Sequence, residues 1–125
     1  PHLNEKIQFV GHVGPKHRNE LLGNAAALLH PINFHEPFGL SVAEAMLCGT
    51  PVIAFDKGSM PELILPGKTG FLVNNVDGAV EALQQLVSIH RMDCHLWAKR
   101  QFSQEKMVQD YLAAYQLIID PSNRL

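Results

Sequence analysis

The sequence predicts an α/β domain with a parallel sheet, and three observations support this prediction. Short apolar runs of strand length recur at 7–10, 26–30, 51–55 and 71–73, each followed by glycine, proline or a polar residue. Helical patterns separate these runs, as parallel strands require, because the chain must return to the same end of the sheet. Hydrophobic residues make up 46% of the 125 positions, which is enough for one core. We therefore expect a single domain, residues 1–125.

Helix patterns and end signals divide the rest of the chain. Gly49 stops the central helix, and Asp77 and Ser103 are expected N-caps, because a side-chain oxygen there accepts a hydrogen bond from a first-turn amide. Pro121 is expected to end the last helix. The apolar stripe of that last helix consists of Met107, Tyr111, Ala114, Tyr115 and Ile118. The predicted helices are 19–27, a central one around 40–47, 60–65, 78–90, 93–100 and 103–119.

Composition argues against several classes of function. The net charge is −2 and basic residues form no stripe, so nucleic-acid binding has no electrostatic support. No apolar run reaches membrane-spanning length. The seven histidines include neither an HExxH motif nor a cysteine and histidine cluster of zinc-binding spacing, and we therefore expect no metal site. Cys48 and Cys94 form no motif and are expected to be small apolar residues of the core, which suits a reducing cytoplasm.

The stretch from Glu36 to Met46 is the most informative part of the chain. A loop containing proline and glycine runs directly into the central helix, and Gly39 lets a ligand approach the backbone there. The first amides of a helix have no acceptor within it and favour anions, phosphate above all. Glu36 and Glu44, eight positions apart, flank this helix start. Helical side chains lean back toward the N-terminus, so both carboxylates can converge on a ligand at this end.

The two carboxylates indicate the kind of ligand. Carboxylates repel phosphate, but an ionised glutamate accepts hydrogen bonds from neighbouring hydroxyl groups. A ligand with phosphates in the middle and polyols on both sides fits this arrangement, which describes a nucleotide sugar. The alternative is an ordinary helix start with solvated acidic groups, which the helix dipole also favours.

The motifs in this region resemble a known signature. The segments Glu36–Met46, Cys48–Ala54 and Gly58–Glu62 together resemble the donor-binding signature of the retaining nucleotide-sugar glycosyltransferases of group 1 (family 4). The resemblance runs from about Phe9 to Tyr115. It implies the GT-B architecture, in which two Rossmann-like domains enclose the active site, and hence a Rossmann-like three-layer fold for this chain.

The resemblance implies a role for each candidate residue. Glu36 would be the catalytic residue, as the acidic side chain closest to the reacting centre, and would face the donor sugar. Glu44 would hold the ribose hydroxyls. The backbone of Pro37, Phe38, Gly39, Leu40 and Ser41 would bind phosphate and sugar oxygens, and Gly11, His12 and Val13 would contact the base. The nucleotide-diphosphate sugar is the substrate, and neither a metal nor another cofactor is expected.

The resemblance also implies what this chain lacks. The acceptor-binding N-terminal domain and the first Rossmann segment of the donor domain would precede Pro1, so we expect the second half of a donor-binding domain, inactive alone. The parent enzyme would be cytoplasmic, or peripheral to a membrane. An open sheet edge and an uncovered last helix predict a homodimer of the fragment. Two alternatives stay open: a non-catalytic nucleotide or sugar-phosphate binding module, and a structural assembly domain.

Overall fold

The computed structural model describes residues 2–120 of the chain, in which helices and short strands alternate as the sequence predicts. Three strands are present in this part: β1 (Leu28–His30), β2 (Val52–Phe55) and β3 (Gly70–Val73). The helices are α1 (Pro15–Asn24), α2 (Leu40–Leu47), α3 (Met60–Leu63), α4 (Val76–Gln85), α5 (Arg91–Phe102) and α6 (Gln104–Ile119), with a 3-10 turn at Leu86–Ser88.

The strands form one parallel sheet in the order β1-β2-β3. Leu28 of β1 and Gly70 of β3 both lie opposite Val52 of the central strand. Because all three strands run the same way, the loops that follow His30, Phe55 and Val73 lie at one edge of the sheet, where α/β proteins bind ligands.

Helices cover both faces of the sheet and give the fold its three layers. Side chains of β2 alternate between the faces, so Val52 and Ala54 pack toward one core while Ile53 packs into a second, smaller one. The larger core contains α2 and α5, and the smaller one contains Ala82 of α4. Full burial of a side chain such as Ile53 stabilises the fold by about 1.5–3 kcal/mol. This arrangement confirms the predicted Rossmann-like α/β fold with C-terminal helices.

Arg91, at the start of α5, ties α1 to the rest of the domain. Its guanidinium donates hydrogen bonds to the carbonyls of Ala25 and Gly23, each 2.7 Å long, and to Oγ1 of Thr50 at 2.9 Å. The Thr50 hydroxyl in turn donates to the carbonyl of Leu22 at 2.5 Å. These bonds satisfy carbonyl groups at the end of α1, which a helix cannot pair internally. They hold the end of α1 against the segment between α2 and β2 and against the start of α5.

The predicted strand at 7–10 does not form. Asn4 and Ile7 instead close a turn with backbone hydrogen bonds of 3.0 and 3.1 Å, and the side chains of Phe9 and Val10 are 81% and 57% exposed. A strand needs a neighbour with which to share its hydrogen bonds, and no strand of the described residues lies beside this segment. The loop at Gly11–Val13 is therefore not placed at the sheet edge by a preceding strand.

The predicted ends of the helices needed smaller corrections. The N-cap of α4 is Asn75, whose side-chain oxygen accepts from the Gly78 amide at 2.8 Å, and not Asp77, which lies inside the helix. Asparagine in extended backbone serves as well as aspartate at this position. Ser103 is confirmed as the cap of α6, since its hydroxyl accepts from the Lys106 amide at 3.2 Å. The predicted stop at Pro121 lies outside the described residues.

The last helix lies on the outside of the domain. None of the residues of α6 is buried, and Met107, Tyr111 and Tyr115 of the predicted apolar stripe are each more than half exposed. The helix therefore does not cover the sheet. Within residues 2–120, no helix combines the length and the apolar character needed to cross a lipid bilayer.

Candidate functional site

The start of α2 is an open helix end at the ligand-binding edge of the sheet. Gly39 is the N-cap, with a left-handed φ of 93°, and its carbonyl accepts from the amides of Val42 and Ala43 at 3.0 and 3.2 Å. The two amides before these, of Leu40 and Ser41, have no acceptor in the described part of the chain. Both residues are exposed. The helix end can therefore donate two backbone hydrogen bonds to an anion.

A second loop holds the first one in place. The loop after β2 is bonded to the loop before α2 through a series of contacts. The Ser59 amide donates to the Glu36 carbonyl at 2.9 Å, and the Ser59 hydroxyl donates to the Phe38 carbonyl at 2.6 Å. Lys57 donates to the side chain of Asn33. Glu36 and the helix end are thus positioned by hydrogen bonds from the loop that follows β2.

Gly58 allows these two loops to approach so closely. A Cβ atom on Gly58 would lie 2.5 Å from both the backbone nitrogen and the backbone oxygen of Glu36. Its φ of 58° is in the left-handed region, which favours glycine. The side chain of Glu36 also reaches the helix end, because its Cγ would lie 3.6 Å from a Cβ on Gly39. The predicted catalytic residue therefore lies directly beside the N-cap of α2.

Glu44 lies one turn inside α2 and makes an ion pair that the sequence analysis missed. Nη1 of Arg18, in α1, is 3.1 Å from Oε1 of Glu44. The side chain of Glu44 is 30% exposed, and its second oxygen has no partner in the described part of the chain. The available signal was a cation at the start of the helix that precedes β1, but sequence spacing alone does not show that α1 packs against α2.

His30 is a second feature that the sequence analysis missed. It is the last residue of β1, it is 8% exposed, and its buried Nε2 has no hydrogen-bond partner among residues 2–120. Burial lowers the pKa of His30, while the negative charge of Glu36 acts in the opposite direction. The imidazole is therefore neutral at neutral pH, and it adds no positive charge beside Glu36. A histidine that ends a buried strand at the ligand edge is the signal that could have found it.

The remaining predicted contact residues lie before α1 and in the loop before α2. Gly11, His12 and Val13 are in the loop that leads into α1, and no hydrogen bond found in the described part of the chain ties them to α2. The Phe38 ring packs edge-on against Phe102 at the end of α5, with ring centroids 5.9 Å apart. The loop before α2 and the loop after β2 therefore come together, whereas no hydrogen bond in the described part of the chain connects Gly11–Val13 to them.

A groove adjoins the helix end. It has a volume of about 780 Å³ and runs from Phe38 and Leu40 to the start of α6, where Met107 and Tyr111 form its far wall. Its size is in the range of pockets that hold small organic ligands.

Among the described residues, no cluster of three or more histidine, cysteine, aspartate or glutamate side chains is arranged to hold a metal ion.

Comparison with known proteins places these features in a family. The model of the family "Glycosyl transferases group 1" matches residues 2–117. An N-acetyl-alpha-D-glucosaminyl L-malate synthase of Bacillus anthracis is 32% identical over 124 residues, which cover 91% of this chain and 31% of that protein. An uncharacterised 41.2 kDa protein in the cps region of Klebsiella pneumoniae is 34% identical over 117 residues, 89% of this chain and 32% of that protein.

Shorter matches point to the same family. An alpha-maltose-1-phosphate synthase of Mycolicibacterium smegmatis is 38% identical over 79 residues, 62% of this chain and 20% of that protein. The chain thus spans about a third, or less, of the length of these relatives. The family match covers all of the residues that form the sheet and the start of α2, as well as the two glutamates, and the chain belongs to the group 1 glycosyl transferases.

Proposed function

We propose that this chain binds the nucleotide-diphosphate-sugar donor of a retaining glycosyltransferase of the GT-B type. The observation that carries this proposal is the open end of α2, where the free amides of Leu40 and Ser41 lie between Glu36 and Glu44. The amides suit the diphosphate, and the carboxylates suit hydroxyl groups on its two sides. The ligand edge of the parallel sheet is the place where such a molecule binds in this class of fold.

The chemistry follows from the order of these groups. As the sugar leaves, negative charge builds on the diphosphate, and amides already aimed at it stabilise that charge without reorganisation. Glu36 would face the sugar at the reacting centre, and Glu44 would hold the ribose. Pro37 and Phe38 complete the loop around the sugar, while Gly11, His12 and Val13 would reach the base. In this proposal neither a metal ion nor another cofactor takes part.

Transfer would also require an acceptor-binding domain. A cleft between two domains positions the acceptor and excludes water, whereas residues 2–120 form one three-layer unit. We therefore propose that the chain binds donor but does not transfer sugar by itself, and that it acts in the cytoplasm, which the two free cysteines support.

Replacing each glutamate by alanine tests the proposed orientation. Glu44→Ala should weaken the binding of a nucleoside diphosphate by about 1–3 kcal/mol, because charge-assisted hydrogen bonds to the ribose are lost. Glu36→Ala should leave that affinity nearly unchanged and instead reduce turnover in the complete enzyme. Isothermal titration calorimetry and a transfer assay measure the two effects. If the effects are exchanged, the donor binds in the opposite direction.

We also propose that the chain forms a homodimer. The side chains of Met107, Tyr111 and Tyr115 on α6 are each more than half exposed and support this proposal; the two tyrosine rings are tilted toward each other with centroids 6.1 Å apart. Apolar patches of this kind mark interfaces. Light scattering at several concentrations should give about twice the monomer mass of 13.9 kDa. A mass near 13.9 kDa at every concentration would rule out the dimer.

A further inference from the structure

His30 is the buried side chain near the proposed donor site that the fold explains least. It ends β1, it is 8% exposed, and its shielded Nε2 has no hydrogen-bond partner among residues 2–120. Successive side chains of a strand point to opposite faces. Leu28 packs against the core that contains α2, and Leu29 lines a groove beside α4. The imidazole of His30 therefore lies on the same side of the sheet as α2.

Packing alone does not account for a histidine at this position. A buried polar atom without a partner is unfavourable, and each such atom in a folded protein needs an explanation. Because Nε2 is shielded, direct contact with a ligand does not supply one. Protons exchange with buried groups through brief local opening of the structure, so the imidazole can still change its charge.

Glu36 connects His30 to the start of α2. Burial lowers the pKa of His30, and the negative charge of Glu36 raises it, which is the smaller of the two effects. The Cγ of Glu36 would lie 3.6 Å from a Cβ on Gly39, so the same side chain reaches the open helix end. An anion bound to the free amides there would add negative charge beside Glu36. That added charge opposes the effect of burial on His30.

The other titratable groups at this edge of the sheet are each paired or exposed. The pairs are Glu44 with Arg18, Lys57 with Asn33, and His35 with the Gly58 amide, and Asp56 is exposed. Glu36 is therefore the charged group that acts on His30 in the free chain. A bound diphosphate would be the second one.

We propose that His30 takes up a proton when the diphosphate of the donor binds at the start of α2, an inference that depends on the proposed function. The proton comes from solvent, and no bond forms between the imidazole and the ligand. The imidazolium attracts the phosphates through its charge, which acts over a longer range than a hydrogen bond. His30 is then a positioning residue for the diphosphate. Because the complex carries one more proton than the free chain, the affinity should rise as the pH falls.

The experiment compares wild type with His30→Gln, which removes the titrating group and keeps a polar side chain. Calorimetry identifies which of UDP, GDP and ADP binds most tightly to the 125-residue chain, and then measures its affinity at about pH 7.5 and about pH 5.5. The phosphates titrate equally in both experiments, so the ratio of the wild-type affinity to the variant affinity cancels their contribution. This ratio should rise about three- to ten-fold between the two pH values, since one pKa unit corresponds to ten-fold.

An NMR titration of the wild-type imidazole provides a measurement that needs no variant. Saturating nucleotide at about pH 6.5 should move the carbon-bound proton signals of His30 toward the positions of a protonated imidazole. Thermal unfolding shows whether His30→Gln is folded, and if it is not, this titration decides.

His90→Gln is the matched control. His90 is exposed and precedes α5, whose first residue, Arg91, lies against Gly49 at the opposite end of α2. The ratio of the wild-type affinity to the affinity of this variant should be the same at both pH values.

The outcomes separate this inference from the proposed function. If the wild-type chain binds none of the three nucleotides, both fail. If a nucleotide binds and the His30 signals do not move at saturation, the inference is overturned and the proposed function stands. A His30→Gln variant whose affinity is reduced equally at both pH values has lost only a structural contact, and this result also overturns the inference.

Discussion

Gly58→Ala is expected to reduce nucleotide binding by more than about ten-fold, because the added methyl group has no space. It would lie 2.5 Å from the backbone nitrogen and oxygen of Glu36 and 2.9 Å from the carbonyl carbon of His35. These are backbone atoms, so the clash is relieved only by separating the two loops. Separation breaks the hydrogen bond from the Ser59 amide to the Glu36 carbonyl and moves the carboxylate from its position beside Gly39.

Gly67→Ala is a closely matched control for this variant. Gly67 also has a left-handed φ, of 74°, but a Cβ atom there would meet nothing within 4 Å. Both variants therefore carry the backbone strain of about 1–2 kcal/mol, and only Gly58→Ala adds the clash. Calorimetry should find normal nucleotide binding in Gly67→Ala. If Gly58→Ala also binds normally, the contact between the loops does not position the site.

Gly70→Ala should cause the largest loss of stability, at least about 3 kcal/mol, since overpacking against backbone is among the most destabilising changes. Gly70 begins β3 and lies opposite Val52 of the central strand. A Cβ atom there would be 2.0 Å from the Val52 oxygen and 2.9 Å from its carbonyl carbon and nitrogen. Strands β2 and β3 would have to move apart. Urea unfolding, monitored by circular dichroism, measures the free energy of unfolding of each variant.

Gly23→Ala provides the comparison for Gly70→Ala. Gly23 lies within α1 with open space around its Cα, so the same substitution should stabilise the chain by about 0.5–1 kcal/mol. If Gly70→Ala lowers the free energy of unfolding and Gly23→Ala raises it, packing against β2 is the cause of the loss in Gly70→Ala. A Gly70→Ala chain as stable as the wild type would mean that β3 does not lie where the structure has it.

Local patterns predicted most of the sheet and helices, and failed where the result depends on a distant neighbour. The runs around β1, β2 and β3 are bounded by turn residues and pair with one another. The equally apolar run at 7–10 is exposed, because apolar residues form a strand only when another strand lies beside them. The cap of α4 was misplaced by two residues because aspartate and asparagine carry the same signal, so their order alone does not choose between them.

The parts of the candidate site that lie within one short segment were predictable from the sequence, and the parts that reach it from elsewhere in the fold were not. The order loop, glycine, helix and glutamate lies within one short segment, so the open end of α2 and the position of Glu36 follow from sequence. Arg18, His30 and Gly58 reach this segment only through tertiary packing. Their contacts depend on how α1 packs against α2 and on how closely the loop after β2 approaches the loop before α2. The spacing of residues along the chain predicts neither of these two arrangements.

The most direct test of the proposed donor site is an amide NMR titration of the chain with a nucleoside diphosphate. We expect saturable shifts that are largest at the amides of Gly39, Leu40 and Ser41, because the free N–H groups there would donate to the phosphates. Glu44→Ala should lower the affinity for the nucleotide without changing which amides shift. Saturable shifts centred elsewhere, for example at the start of α4, with Gly39–Ser41 unchanged, would contradict the proposal that the end of α2 binds the donor.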